Sequence, residues 1–198
     1  MGKTVDYVFS AGSPWAYFGH WRFHDIAKRH GAKINVKPVD YGKIFPLTGV
    51  RPLAQRPVQH QAYRLVELKR YSDYLKIPLN LKPKFSPVPR DPSAHLIIAA
   101  DRVGGTDAAM LIAGALMRAC WAEDRDASDP ATLMALCKEN GLDAERLAAE
   151  AQTPAVRKQY ESYTEEAIAL NVFGAPSYIV DGEIFWGQDR LDFVERAL

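Results

Sequence analysis

Cysteine is scarce: of 198 residues only Cys120 and Cys137 are cysteine. They fall in separate helical patterns, and no sequence signal supports a disulfide between them. They are expected to be reduced core thiols, which fits a reducing compartment and a cytoplasmic location. An excess of either charge is also missing. Lys and Arg number 25 against 24 Asp and Glu, a formal net charge of +1. No basic face steers the chain toward nucleic acid or an anionic membrane, and Lys82, Lys84 and Arg90 read as ordinary surface. No run approaches the ~20 apolar residues of a membrane span. The N-terminus passes directly into a strand, so no secretory signal is expected, and Asp6 stands where a myristoylation motif needs Ser or Thr. Repeats and low-complexity segments are absent. His20 and His24 lie four apart without a third ligand, so they are assigned to packing or surface and no metal site is expected.

What remains is an ordinary globular composition, 47% hydrophobic and 25% charged, arranged in three blocks. Val5–Phe9 and Ile34–Val39 read as strands flanking a helix from Tyr17 to His30, with Gly31 as its stop. Such a β-α-β unit implies a parallel pair with a right-handed crossover. Asp40 to Pro57 reads as a Gly/Pro-rich loop. A long helix is expected over Val58–Tyr74, with Tyr63, Tyr71 and Tyr74 lining the helical core. The proline-dense stretch Pro78–Pro92 cannot be one helix. Helices are expected over Ser93–Val103, Asp107–Glu123, from Asp129-Pro130 onward, over Asp143–Ala151 and over Pro154–Leu170. The chain ends in a β-hairpin, Ser177–Val180 and Ile184–Trp186 joined by Asp181-Gly182, and a helix Arg190–Ala197 with Asp189 as its N-cap candidate. Neither strand pair is stable alone. The expected architecture is therefore α/β, one mixed sheet (βαβ…ββα) built from residues 1–57 and 171–198, with an inserted helical domain over 58–170.

Ser13-Pro14-Trp15-Ala16 joins the first strand to the first helix. The N–H groups of a helix start lack intrahelical partners, and the macrodipole favours an anion there. Thioredoxin-type redox proteins place a Cys-x-x-Cys pair at this position, where the helix end lowers a thiol pKa. Here the two cysteine positions are Ser13 and Ala16, so a thiolate would have to come from another molecule, with the Ser13 hydroxyl donating to it. Gly174-Ala175-Pro176 precedes the third strand. Its sharper interpretation is a cis Ala175–Pro176 bond that presents the Ala175 backbone for pairing with a peptide ligand; its plainer one is a strand boundary. Gln188-Asp189 offers a helix N-terminus for a carboxylate and a carboxylate for an ammonium, which suits the γ-glutamyl end of glutathione.

These segments carry a resemblance over nearly the whole chain. Tyr7–Tyr17, Gly42–Gly49, Asn171–Tyr178 and Phe185–Arg190 resemble the 2-hydroxychromene-2-carboxylate isomerases and the kappa-class glutathione transferases, a disulfide-oxidase-like branch of the thioredoxin superfamily. The resemblance implies a thioredoxin-like sheet with a large all-helical insertion, and glutathione as cofactor. Ser13 is then the catalytic, thiolate-stabilising residue, and Ala175, Pro176, Gln188 and Asp189 bind glutathione. It also implies a small-molecule aromatic substrate from aromatic degradation, and a homodimer. Trp15, Lys43 and Arg51 are the substrate-side candidates. Members usually carry Asn-x-Pro-Pro after the Thr-Gly pair, whereas this chain has Val50-Arg51-Pro52-Leu53, and Ala11-Gly12 lengthens the approach to Ser13.

The expected activity is glutathione-dependent isomerisation of an aromatic pyruvate derivative. A kappa-type transferase, which would consume glutathione, remains the alternative, with a non-catalytic peptide-binding module behind it. A disulfide oxidoreductase is disfavoured because Ser13 and Ala16 cannot cycle. No His/Asp partner is visible to make Ser13 a nucleophile.

Overall fold

Strand β1 (Thr4–Phe9) is the centre of the molecule. A computed structural model describes residues 2–87 and 89–198; Met1, in the first predicted segment, and Val88, in the proline-dense stretch, lie outside the described residues. On one side β1 pairs in parallel with β2 (Lys33–Pro38), Val5 opposite Ile34 and Phe9 opposite Pro38. On the other it pairs antiparallel with β3 (Ser177–Val180), Val8 opposite Ser177. Strand β4 (Glu183–Trp186) closes the hairpin, giving the order β2-β1-β3-β4. The hairpin turn is Asp181-Gly182 with φ of 50° and 84°, the double positive-φ turn that the twist of paired strands favours.

Alternation along β1 feeds two cores. Val5, Tyr7 and Phe9 enter the larger one, beneath helix α1 (Pro14–Arg29), the long helix α4 (Asp91–Trp121) and the C-terminal helix α8 (Leu191–Ala197). Val8 enters the smaller one with Ile179, Val39, Tyr41, Ile44 and Ala167. These last residues come from helices α2 (Tyr41–Thr48) and α7 (Pro154–Ala169). Helices α5 (Pro130–Glu139) and α6 (Ala144–Ala151) begin on the side-chain caps Asp129 and Asp143.

Three expectations need correction. The segment Asp40–Pro57 is not all loop: it contains α2 and a 3₁₀ turn at Leu53–Gln55. The Asp40 carboxylate accepts the Gly42 N–H at 2.7 Å, and burial of Tyr41 and Ile44 outweighs the helix-breaking Gly42 and Pro46. The helices expected over 93–103 and 107–123 are both present, within the run Asp91–Trp121 and separated at the non-helical Gly105 (φ 76°, ψ −173°). On helix α3 (Val58–Leu75), Tyr63 and Tyr74 do not line the core; they are 56% and 80% exposed. The inward seam is Arg64, Leu68, Tyr71 and Leu75, spaced four, three and four, and Leu68 is fully buried on it. Lastly, Asp189 does not cap the final helix. It lies in a 3₁₀ turn, Gln188–Arg190, and α8 starts after Arg190 without a side-chain cap.

His20, on the inner face of α1, is buried at 1% exposure. Its Nε2 lies 2.9 Å from the Met110 carbonyl and its Nδ1 3.2 Å from the Tyr7 hydroxyl. An imidazole donating from Nε2 and accepting at Nδ1 meets both contacts in its neutral form. Desolvation lowers its pKa to about 4. As pH falls from the ordinary histidine value toward 4, the unfolded chain therefore takes up this proton before the folded one does, and stability is lost across that window. His20→Gln should remove roughly 2–3 kcal/mol of the stability difference between pH 7 and pH 4.5, measured by urea unfolding at the two pH values.

Candidate active site at the sheet end

The topology brings four segments to one edge of the sheet. β1 and β2 end there, β3 begins there and β4 ends there. The turn Ser10–Ser13, the start of α2, the Gly174–Pro176 segment and the Gly187–Arg190 turn are therefore neighbours. Tyr41 of α2 donates its hydroxyl to the Gly174 carbonyl at 2.9 Å, and the Gly187 N–H bonds the Pro176 carbonyl at 2.9 Å.

Ser13 is the N-cap of α1. Its Oγ accepts the Ala16 N–H at 3.2 Å, and its carbonyl accepts the Tyr17 N–H at 3.1 Å. Pro14 at the first helical position has no N–H to satisfy, which leaves Trp15 N–H as the unclaimed donor of the first turn. The Ser13 hydroxyl proton points at the Ala175 carbonyl, 3.4 Å away, a weak bond that a better acceptor would displace. Ser13 is half-buried, Ala175 half-buried and Pro176 buried; the Ala175–Pro176 peptide is cis. One edge thus holds a hydroxyl donor, a free helix N–H and an exposed backbone segment.

Gln188 is buried at 2% exposure. Arg22 of α1 clamps it, donating to Oε1 at 2.6 Å and to the backbone carbonyl at 3.2 Å. This fixes the amide orientation and leaves Nε2 buried with no partner. α1 comes this close because residue 19 is glycine: a Cβ there would meet Tyr178 Oη at 2.7 Å and Gln188 Cβ at 3.0 Å. Asp189 is exposed and pairs with the adjacent Arg190. Across from this turn, Glu67 of α3 carries a pKa raised by burial and then by the Asp189 carboxylate. Tyr71, one turn further along α3, is raised by burial and then by the Asp189 and Glu67 carboxylates. Trp15 stands against Tyr71 edge to face at 5.8 Å.

Ser13, Trp15, Ala175, Pro176, Gln188 and Asp189 thus gather around one edge. Lys43 sits exposed on α2 at the same sheet end. Arg51 is exposed in the loop that follows, its carbonyl accepting Arg56 Nε at 2.9 Å. Sequence reasoning missed Arg22, Glu67 and Arg56, which belong to no motif; only the i, i+4 spacing of Glu67 and Tyr71 hinted that they share a face. Both cysteines are buried and free, with pKa pushed up to about 11 by burial. Among the described residues no cluster of three His, Cys, Asp or Glu is arranged to hold a metal ion. No described helix is long and apolar enough to cross a membrane.

Comparison with known proteins places this geometry in context. The sequence model of the DSBA-like thioredoxin domain matches residues 4–198. A 2-hydroxychromene-2-carboxylate isomerase of Sphingobium xenophagum is 30% identical over 199 residues, covering 100% of this chain and 99% of that protein. Human glutathione S-transferase kappa 1 is 23% identical over 208 residues, covering 100% of this chain and 92% of its own. A solved 2-hydroxychromene-2-carboxylate isomerase structure superimposes with a TM-score of 0.77 at 25% identity, over 98% of this chain and 93% of that one.

The capping role of Ser13 can be measured apart from any chemistry. Ser13→Ala should lower stability by about 1 kcal/mol, and Ser13→Asn should restore most of it, as read from chemical denaturation midpoints.

Proposed function

We propose, for a chain that belongs to the DSBA-like thioredoxin domain family, the activity of a glutathione-dependent isomerase acting on 2-hydroxychromene-2-carboxylate-type aromatic pyruvate derivatives. The observation that carries this reading is Ser13. A hydroxyl donor caps the helix start where redox relatives hold a cysteine pair, and both of the chain's own thiols are buried elsewhere.

The residues present fit the tripeptide. The Ala175 backbone beside Pro176 suits antiparallel pairing with its cysteinyl unit. The unpartnered Gln188 Nε2 offers a donor to the γ-glutamyl carboxylate, and Asp189 with Glu67 offers negative charge to the ammonium. When bound there, glutathione would supply a thiolate nucleophile for reversible addition to the conjugated double bond, the isomerisation requiring only rotation about the single bond so formed. Ser13 turns its hydroxyl from the Ala175 carbonyl toward the incoming sulfur, and Trp15 N–H and the helix dipole add to the same field. Lowering a thiol pKa by one to two units asks for only about 1.4–3 kcal/mol from these groups. Trp15 and Tyr71 wall the site with apolar surface, while Lys43 and Arg51 lend positive charge at its solvent side. The reading includes a homodimer in the cytoplasm, and a helical domain over 58–170 inserted into the thioredoxin-like one.

Following glutathione and product together tests the proposal: isomerised product should accumulate at constant glutathione. Stoichiometric loss of glutathione would make the protein a kappa-type transferase instead, and binding without turnover a peptide-binding module. Ser13→Ala should keep its glutathione affinity, raise the pKa of the bound thiol and lose tenfold or more of neutral-pH turnover, roughly one unit of thiol pKa. Higher pH should restore part of the rate, and Ser13→Cys should not restore it. Full activity of Ser13→Ala at neutral pH would reduce Ser13 to a helix cap. Asp189→Asn should weaken glutathione binding about tenfold, the effect of losing one charge-assisted contact, with no change in the unfolding midpoint, since Asp189 caps no helix. Isothermal calorimetry reads the first and urea unfolding the second.

A further inference from the structure

Arg64 is a half-buried arginine without a carboxylate partner among the described residues. It lies on the inward seam of α3, two turns before Tyr71, with its guanidinium carbon 5.9 Å from the centre of the Trp121 ring. The charge felt most at Arg64 is another cation, Arg56, and burial and this like charge together hold its pKa below the ordinary arginine value. Trp121 adds a second unmet donor, since its indole Nε1 is buried without an acceptor. A desolvated cation and a desolvated N–H at the same indole both lack an acceptor. Such groups are costly unless something supplies one.

The pair borders the catalytic edge. Trp121 follows Cys120, which shares a small cavity with Ser10, Ala11 and Gly12, the turn that delivers Ser13. The Trp121 carbonyl accepts the Asn80 N–H at 2.6 Å, and the Pro78 carbonyl in the same stretch accepts the Tyr17 hydroxyl at 3.0 Å, one turn beyond Ser13. Along α3, the seven residues from Arg64 to Tyr71 span about 10 Å, and Tyr71 touches Trp15. Lys43 and Arg51 are fully solvated by comparison, where a single ionic contact contributes little.

We propose that Arg64, laid over Trp121, is the specificity-determining contact for the carboxylate of the aromatic substrate. The fork of the guanidinium receives both carboxylate oxygens, while the buried indole backs the guanidinium and holds it in place. Arg56, tied to the Arg51 carbonyl, raises the local positive potential. The identity of the substrate rests on the isomerase reading; the anion site does not.

Calorimetry with trans-cinnamate and its uncharged analogue trans-cinnamamide separates the two. The wild-type protein should bind the acid more tightly than the amide. Arg64→Met, which keeps the apolar stem, should weaken the acid roughly tenfold or more and leave the amide within about twofold; Arg64→Lys should fall between. In wild-type protein, titration with cinnamate should shift the Trp121 indole N–H resonance, assigned through Trp121→Phe, and the amide should not; this arm stands even if Arg64→Met fails to fold. Equal acid binding by wild type and folded Arg64→Met, or an indole resonance indifferent to cinnamate, overturns the proposal. In turnover assays, an unchanged KM for the carboxylate substrate in Arg64→Met sinks the inference alone. Discrimination of acid from amide by a protein without glutathione-dependent turnover leaves the anion site standing and sinks the isomerase reading.

Discussion

The antiparallel seam between β1 and β3 is the contact on which the site depends. It brings Ser13 to the carbonyl of Ala175 across 162 residues of chain. Closing so long a loop costs little more than closing a short one, because the entropic penalty grows only with the logarithm of length. It does have to be offset by burial, and the alternation of β1 supplies that on both faces. Without the seam, the start of α1 would be an ordinary capped helix end. With it, the helix end faces a backbone segment held by Tyr41 and by the Gly187 N–H.

The chemistry of the edge follows from an imbalance between donors and acceptors. The Ser13 hydroxyl has only a long bond to give up, Trp15 N–H has none, Gln188 Nε2 and the Trp121 indole N–H are buried without one, and the half-buried Arg64 has no carboxylate partner among the described residues. Buried polar groups are ordinarily paired. The unmet donors at this edge are what the proposed glutathione site and the proposed carboxylate contact draw on. A region of opposite character lies at Glu67, whose proton affinity is raised by burial and then by the Asp189 carboxylate.

Local chemistry was legible in the sequence wherever a few adjacent residues decide the structure. Ser13-Pro14 starts a helix, Asp129-Pro130 starts another, Gly31 follows the end of α1 and Asp181-Gly182 turns a hairpin, each by its own backbone preferences. The position of Ser13 and the 174–176 segment followed from the order of strands and helix. What depends on partners was not legible. α2 forms despite Gly42 and Pro46 because the sheet face needs Tyr41 and Ile44. The seam of α3 is set by what it packs against, so Arg64 displaces the better-looking Tyr63 and Tyr74 from the interior. Asp189 looked like a cap because a helix follows within two residues, but the intervening 3₁₀ turn faces its carboxylate outward, paired with Arg190. Arg22 and Glu67 meet the Gln188 turn only through the packing of α1 and α3.

Cys120 and Cys137 bear on how such a protein lives beside its proposed cofactor. Both are nearly inaccessible, and burial keeps them protonated far above neutral pH. Thiol–disulfide exchange needs an exposed thiolate to attack, and neither sulfur provides one. A rise in oxidised glutathione would thus find no residue to cap. With Ser13 and Ala16 where redox proteins carry a cysteine pair, the proposed activity would follow the supply of reduced tripeptide alone, and the chain would carry no covalent record of oxidative stress.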